Sequence, residues 1–258
     1  MSLFAPVTAI AIDAGIPTMR GTREALAAAG MEPRGLAALL VSHAHSDHLG
    51  AYGLRVMEEA EVPILASPDV AAAARVVYRR QFDRDLPSGW FRPLAAGTTY
   101  LVGRLEVTPF EVSHDVPTHG FVVAARSASG GVRKVVVATD LGHAPDELLP
   151  HFADADVVVL EANYNEAMLR LSPRLPADKD RVRSDRGHLA NVAAGRFLRR
   201  IADESSRLPS RIVLAHLSED HNRPDLAVSE VVTHARLGSR MPPTAPAPRR
   251  TPGEPIPV

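Results

Sequence analysis

The run His43-Ala44-His45-Ser46-Asp47-His48 places three imidazoles and one carboxylate within six consecutive residues. These are ligand types for a divalent transition metal. The apolar stretch just before it, residues 36–41, reads as a strand, and residues two apart on an extended chain project to the same side. His43 and His45 can therefore grip one ion from the strand end. Asp47 and His48 face elsewhere once the chain turns into the helix expected over residues 49–60, so one short motif can serve two metals. Two adjacent divalent ions suit hydrolysis, because they generate a nucleophile from water and offset charge on the substrate. A histidine-rich polar turn would have the same composition, but three histidines with an aspartate at a strand end are far more specific than any one of them.

Five more residues suited to metal chemistry stand where a strand candidate meets a loop: Asp13, His114, Asp140, His188 and His216. Taken singly, each reads as a hydrogen-bonded or solvated side chain; their joint occurrence changes that. His216 follows residues 212–215 and Asp140 follows residues 135–139, so both emerge at the carboxyl end of apolar runs, where clefts collect functional groups.

The elements that must position these residues alternate along the chain. Apolar, β-branched runs at 7–12, 36–41, 62–66, 101–110, 121–125, 132–138, 157–160 and 212–215 are strand candidates. Helical patterns occupy 22–29, closed by Gly30, then 68–81, 145–152, 189–202 and 224–235. The expectation is a mixed α/β (α+β) fold with two sheets and helices outside. Residues 1–240 read as one hydrolase domain. From Met241 onward the chain is proline-rich, which works against helix and sheet ladders, so 241–258 is expected to be a disordered tail.

Composition narrows the functions. With 45% hydrophobic and 23% charged residues over 258 positions, the chain can bury a sizeable core. It has no cysteine, which excludes disulfides and thiolate ligands and leaves histidine, carboxylate and water to hold a metal. No leader-like segment or membrane-length apolar run is seen, so a cytoplasmic protein is expected, with no membrane partner. A net charge of −1 gives no global footprint of a nucleic-acid binder. Local clusters at 170–186 (Arg170, Arg174, Lys179, Arg181, Arg183, Arg186) and at Arg75, Arg79, Arg80 and Arg84 read either as solvated faces or as backbone tracks. Aromatic residues make up only 5%; Trp90, Phe91 and Tyr164 are stacking candidates, though core packing suits each better.

The order His-x-His-x-Asp-His, then His114, Asp140 and His216, resembles the metallo-β-lactamase superfamily over nearly the whole chain. Ser113-His114-Asp115, Ala138-Thr139-Asp140-Leu141-Gly142, Leu160-Glu161-Ala162-Asn163, Ser184 to Asn191 and Leu214-Ala215-His216-Leu217-Ser218 look like its YycJ/WalJ-like subgroup, associated with DNA exonuclease activity. The resemblance implies a four-layer αββα sandwich. It implies that His43, His45 and His114 hold one metal and Asp47, His48 and His216 a second, with Asp140 bridging. Asp13 would be an acceptor fixing a ligand imidazole. The ions would be Zn2+ or Mn2+.

Residues His188, Glu161, Asp140 and Asp47 are the expected catalytic group. The resemblance implies that a hydroxide held between the metals would attack and that His188, oriented by Glu161, would protonate the leaving oxygen. His188 could instead simply begin the helix at 189–202, and Glu161 could be a surface carboxylate. The expected function is a dinuclear-metal phosphodiesterase, an exonuclease on single-stranded DNA. The alternative is a small-molecule metallo-hydrolase: a cyclic phosphodiesterase or, less well supported, a lactonase or thioesterase. The oligomeric state is left open. Relatives in the subgroup carry a Ser/Gly-rich segment and an additional strand before the Ile12-Asp13-Ala14-Gly15 stretch, whereas twelve residues precede Asp13 here, which could leave a strand edge prone to association. His119 and His143 have no implied role; His151, His221 and His234 read as surface residues.

Overall fold

The computed structural model describes residues 8–126, 130–249, 253 and 256. It divides into two compact units, Met1–Pro109 with Arg250–Pro255, and Phe110–Arg249 with Ile256–Val258.

In the first unit, strands β1 (Ala9–Ile12), β2 (Leu36–Leu40), β3 (Ile64–Ala66) and β4 (Phe91–Pro93) form a wholly parallel sheet in that order. Helices α1 (Met19–Ala28), α2 (Ala51–Glu59) and α3 (Pro68–Phe82) connect them. Local chemistry sets their starts: Thr18 Oγ1 accepts from the Gly21 amide, and Ser67 Oγ accepts from Val70 N, with Pro68 at the first helical position. Leu39, Val41, Leu54, Met57, Ile64 and Tyr78 are buried in the core of this unit.

The apolar run expected as one strand at 101–110 is a hairpin. β5 (Tyr100–Val102) pairs antiparallel with β6 (Leu105–Val112), Val102 opposite Leu105. Gly103 between them takes a left-handed φ of +59°, which glycine adopts without a Cβ penalty. Residues 105–109 of β6 belong to the first unit and residues 110–112 to the other.

The second unit contains β7 (Thr118–Arg126), β8 (Val132–Ala138), α4 (Leu149–Phe152), β9 (Val157–Glu161), α5 (Glu166–Leu171), α6 (Pro176–Arg183), α7 (Asn191–Glu204), β10 (Arg211–Ala215), α8 (Pro224–Ala235) and β11 (Thr244–Pro246). Strand order is β11-β10-β9-β8-β7-β6. β8, β9, β10 and β11 are mutually parallel, and β7 is antiparallel to β8. Helix α7 buries Ala194, Phe197, Leu198 and Ile201, an i, i+3, i+4, i+7 stripe. The three larger side chains contribute about 1.5–3 kcal/mol each by leaving water.

The basic residues of 170–186 fall on two short helices, α5 and α6, and on the loops beside them; Asn165 caps the first helix, its Oδ1 accepting from Met168 N. One expectation is corrected here. The expected tail is ordered from Met241 to Arg249 and adds β11 to the sheet edge. Its prolines do not break the ladder, because Pro243 only accepts, from Ile212 N at 2.9 Å, and Ala247 supplies the amide to Leu214 O at 2.8 Å. Most of 250–258 lies outside the described residues.

No helix among the described residues is long and apolar enough to cross a membrane.

Candidate active site

In the first unit, β1 and β2 run parallel, so Asp13 and Ser42 follow the ends of neighbouring strands at the same level. Asp13 Oδ1 accepts from Ser42 N at 2.7 Å; its Oδ2 accepts from Ser42 Oγ at 2.8 Å and from His48 Nδ1 at 2.7 Å. Since the Ser42 proton is given to Asp13, Ser42 Oγ, 3.0 Å from His43 Nδ1, is left to accept there. Both imidazoles thus carry Nδ1–H and turn Nε2 outward as a lone pair.

His43 Nε2 lies 3.0 Å from His45 Nδ1. Two ring nitrogens that close need a proton or a cation between or beside them, and the ligand nitrogens of a tetrahedral zinc ion lie about 3.3 Å apart. This donor set therefore fits a divalent metal. The chain turns directly after His45, with Leu49 N donating to His45 O at 2.7 Å. That turn brings His48 Nε2 to 3.6 Å from the exposed Asp47 carboxylate. Gly15 makes the packing possible: a Cβ there would stand 1.9 Å from the Asp47 carbonyl.

In the second unit the pieces come from five segments. Parallel register sets Leu160 opposite both Ala138 and Leu214, and Glu161 opposite Ala215, so β8, β9 and β10 end side by side. Asp140, Glu161 and His216 emerge from those three ends. Asp140 and His216, like Asp13 in the first unit, have left-handed φ values, +58°, +54° and +63°. Non-glycine residues seldom adopt that region, and such strain concentrates at functional sites.

Glu161 is fully buried, and its two oxygens take four donors. Oε1 accepts from His188 Nδ1 and His216 Nδ1, each at 2.9 Å, and Oε2 from Leu141 N at 2.9 Å and Leu189 N at 3.2 Å. Burial pushes its pKa up, but the hydrogen bonds and charge of the two imidazoles outweigh that, holding it below the ordinary carboxyl range. His114 Nδ1 donates to Gly187 O at 3.0 Å, and burial lowers the proton affinity of its ring despite Asp140 and Asp115. A neutral ring with Nε2 available is the ligand form. One donor atom from each of Asp140, Glu161, His188 and His216 falls within 4.8 Å of all the others.

The segment from Arg186 to His188 does three things. The Arg186 guanidinium donates to His114 O and Asp115 O at 2.9 and 3.0 Å, Gly187 O fixes the His114 tautomer, and His188 projects onto Glu161. His188 precedes α7 and also belongs to this cluster.

Sequence reasoning passed over the amides behind these residues. Asn163 Nδ2 donates to His216 O at 2.8 Å. Asn222 Nδ2 reaches Ala162 O, Asn163 O and Asn191 Oδ1 at 2.8–3.1 Å, and Glu230 ties Asn165 to Asn191. These bonds join the loops after β9 and β10 to the start of α7. Asn163 and Asn191 stood inside the quoted motifs and Asn165 and Asn222 outside them, and a lone asparagine carries no chemical signature.

Other expectations change. His221, expected at the surface, is 3% exposed, because its loop folds under α5, with Asn165 N donating to His221 O. His151 stacks on Phe110, centroids 4.4 Å apart. Tyr164 is buried in a small apolar cluster with Leu169 and Val182; Trp90 and Phe91 pack against the core of the first unit. Most of the basic cluster is engaged locally: Arg174 on Asp220, Arg181 on Asp115, Arg183 on Glu166, and Lys179 on the carbonyls of Arg170 and Ser172.

A family model described as "Beta-lactamase superfamily domain" matches residues 8–217. The chain is 27% identical over 230 residues to the exodeoxyribonuclease YycJ of Bacillus anthracis, covering 88% of this chain and 82% of that protein. Among solved structures it resembles the metallo-β-lactamase fold protein YhfI of Bacillus subtilis, with a TM-score of 0.56, 17% identity and coverage of 83% and 76% of the two chains. It also resembles Zn2+-bound PqqB of Methylobacterium extorquens, with a TM-score of 0.57, 17% identity and coverage of 87% and 74%. YhfI has the metallo-β-lactamase fold that the motifs imply, and the chain belongs to the metallo-β-lactamase superfamily of hydrolases.

Proposed function

We propose that the chain is an exonuclease that hydrolyses phosphodiester bonds of single-stranded DNA at a dinuclear centre of Zn2+ or Mn2+. The likeness to an exodeoxyribonuclease over most of both chains supports the nucleic-acid substrate. In this reading His43, His45 and His114 would hold one ion and Asp47, His48 and His216 the other, with Asp140 available to both. The state of the imidazoles supports that assignment: His43, His48, His114 and His216 each commit Nδ1 to a protein acceptor, leaving Nε2 for a metal. Such ions, when bound, lower the pKa of water to about 7 and offset charge on the phosphate oxygens.

The chain's own residues handle the proton. Asp140 orients the attacking water. His188, carrying Nδ1–H on Glu161, presents Nε2 as the acid for the departing 3′ or 5′ oxygen, and ionised Glu161 stabilises the doubly protonated ring before transfer. The observation that carries this proposal is the 2.9 Å contact between His188 and Glu161, which puts a proton-bearing ring against a candidate ligand, His216. Metal-loaded protein should shorten end-labelled single-stranded DNA stepwise. His188→Ala should retain two metals by elemental analysis and lose about 10²–10⁴ in turnover. Unchanged turnover would remove His188 from the mechanism.

A second reading, a phosphodiesterase of small cyclic nucleotides, is favoured by the local pairing of the basic side chains, which leaves little of a backbone track. Cleavage of a cyclic nucleotide without cleavage of an oligonucleotide would select it.

A further inference from the structure

Strands β10 and β11 run parallel with Ile212 opposite Thr244, Val213 opposite Ala245 and Leu214 opposite Pro246, an offset of 32 residues throughout. Continued past the strand ends, that register sets Arg249 level with Leu217, the residue after His216. The side chain makes the contact: Arg249 Nη2 donates to Leu217 O at 2.6 Å, and Nη1 lies 3.4 Å from Glu219 Oε1.

The segment that delivers Arg249 is stiff. The rings of Pro246 and Pro248 fix φ, and each proline also confines the residue before it, Ala245 and Ala247, to extended backbone. Between the two rings, Ala247 N donates to Leu214 O at 2.8 Å and pins the segment to β10. A chain so restricted before folding has little freedom to lose when it is laid along a strand. The proline density that argued against structure thus suits a strap that ends in one guanidinium.

His216 is where such a strap has something to hold. Its left-handed φ of +54° is disfavoured for a residue with a Cβ, and a conformation of that kind persists only when the contacts around it over-determine it. Three consecutive residues are tied there: His216 O accepts from Asn163 Nδ2 at 2.8 Å, Leu217 O accepts from Arg249, and Ser218 N donates to Asn163 O at 2.8 Å. Asn163, on the loop after β9, supplies the two outer ties, and Arg249 supplies the middle one from the other side of β10. A surface ion pair with Glu219 would be the simpler role for Arg249. That pair is exposed on both sides and at the longer distance, so it contributes little, whereas the bond to the carbonyl is short and charge-assisted.

We infer that Arg249 is a positioning residue for His216: the proline-rich end of the chain straps the Leu217 carbonyl and keeps the strained His216 with Nδ1 on Glu161, the pose in which Nε2 serves a metal. The inference rests on the reading of His216 as a ligand. The strap lies beyond residue 217, where the family match ends.

The test compares wild type with Arg249→Ala and Arg249→Lys, and uses His216→Ala as a reference. In the metal-free full chain, amide hydrogen exchange followed by NMR should speed about tenfold at Ser218 in Arg249→Ala, a local opening, and return toward wild type in Arg249→Lys, which keeps a donor. The amides of β9 should exchange as in wild type, which shows that the fold is intact. In a titration with Zn2+ against a chelator, Arg249→Ala should hold one of two ions about tenfold more weakly and the other unchanged, the low end of the range for a group that orients a ligand. Pro248→Gly, which keeps Arg249 but loosens the strap, should show the same changes to a smaller extent and replaces Arg249→Ala if that variant does not fold. Wild-type exchange at Ser218 in Arg249→Ala overturns the inference, as does unchanged affinity for both ions when His216→Ala loses one. If His216→Ala keeps both ions at wild-type affinity, the ligand reading fails, and the exchange at Ser218 alone decides whether the strap exists.

Discussion

Asp13 and Glu161 hold imidazoles by the same chemistry, but the two units assemble their clusters from very different spans of chain. In the first unit the four candidate donors lie within six residues, and Asp13 reaches them from the neighbouring strand end. Half of that arrangement is local, because the turn after His45 brings His48 round by itself. In the second unit, His114, Asp140, Glu161, His188 and His216 come from separate segments. They meet because β8, β9 and β10 run parallel and in register. The burden on the central carboxylate differs accordingly. Asp13 serves one imidazole, a hydroxyl and one amide at a partly exposed position, whereas Glu161 serves two imidazoles and two amides with no solvent access. A motif can be carried by its own chain geometry, but a distributed cluster needs one buried group on which its members converge.

The largest effect expected from that contrast follows Glu161→Ala. Removing the acceptor leaves two buried amides and two ring N–H groups unsatisfied, so stability should fall by about 3–5 kcal/mol, measured by urea unfolding. A loss under about 1 kcal/mol would show that the second cluster does not depend on its central carboxylate.

A smaller change is expected for Asp13→Asn, since the local turn remains. Stability should drop by about 1–2 kcal/mol, and metal affinity, by calorimetric titration, should weaken about 10–100-fold because His48 loses its orienting acceptor. If Asp13→Asn unfolds the protein as readily as Glu161→Ala, the distinction between a local and a distributed cluster fails.

Asp156 supplies the control. It is a 3% exposed carboxylate of the second unit held by Arg207, Arg133 and the Lys134 amide instead of by imidazoles. Burial acts to raise its pKa, but those donors outweigh it and depress the folded value. A depressed carboxyl contributes stability above its unfolded pKa and loses it as pH falls through the folded value. Asp156→Asn should therefore cost about 1–2 kcal/mol at neutral pH, and the gap from wild type should close below about pH 4. Metal affinity should not move; a weakened metal site in this variant would mean that any buried carboxylate of the unit supports the cluster.

Legibility from the chain followed the same division. The strands at 132–138 and the helix at 224–235 were read with the bounds the structure has, because β-branched runs and a proline-started apolar stripe are local signals. The hairpin at Gly103 was missed, since two strands that pair with each other through a two-residue turn read as one apolar run. The strand β11 was missed for the opposite reason: proline density argued against a ladder, and only the position of β10 reveals that the needed donors fall on non-proline residues. His221 looked like a polar loop residue until α5 was seen to cover it.

By itself the amino-acid sequence determined the donor types, the absence of thiolates, the six-residue cluster and the family to which its motif order points. Those follow from side-chain chemistry and spacings of a few residues, which the covalent chain enforces. Tertiary structure alone decided that Glu161 is fully buried beneath two imidazoles, that Arg186 and Gly187 brace His114, that most of the basic segment is engaged with its own neighbours, and that His221 is buried. Each depends on strand register and loop packing between residues far apart in the chain, and the free energy of those contacts exists only once the chain has folded.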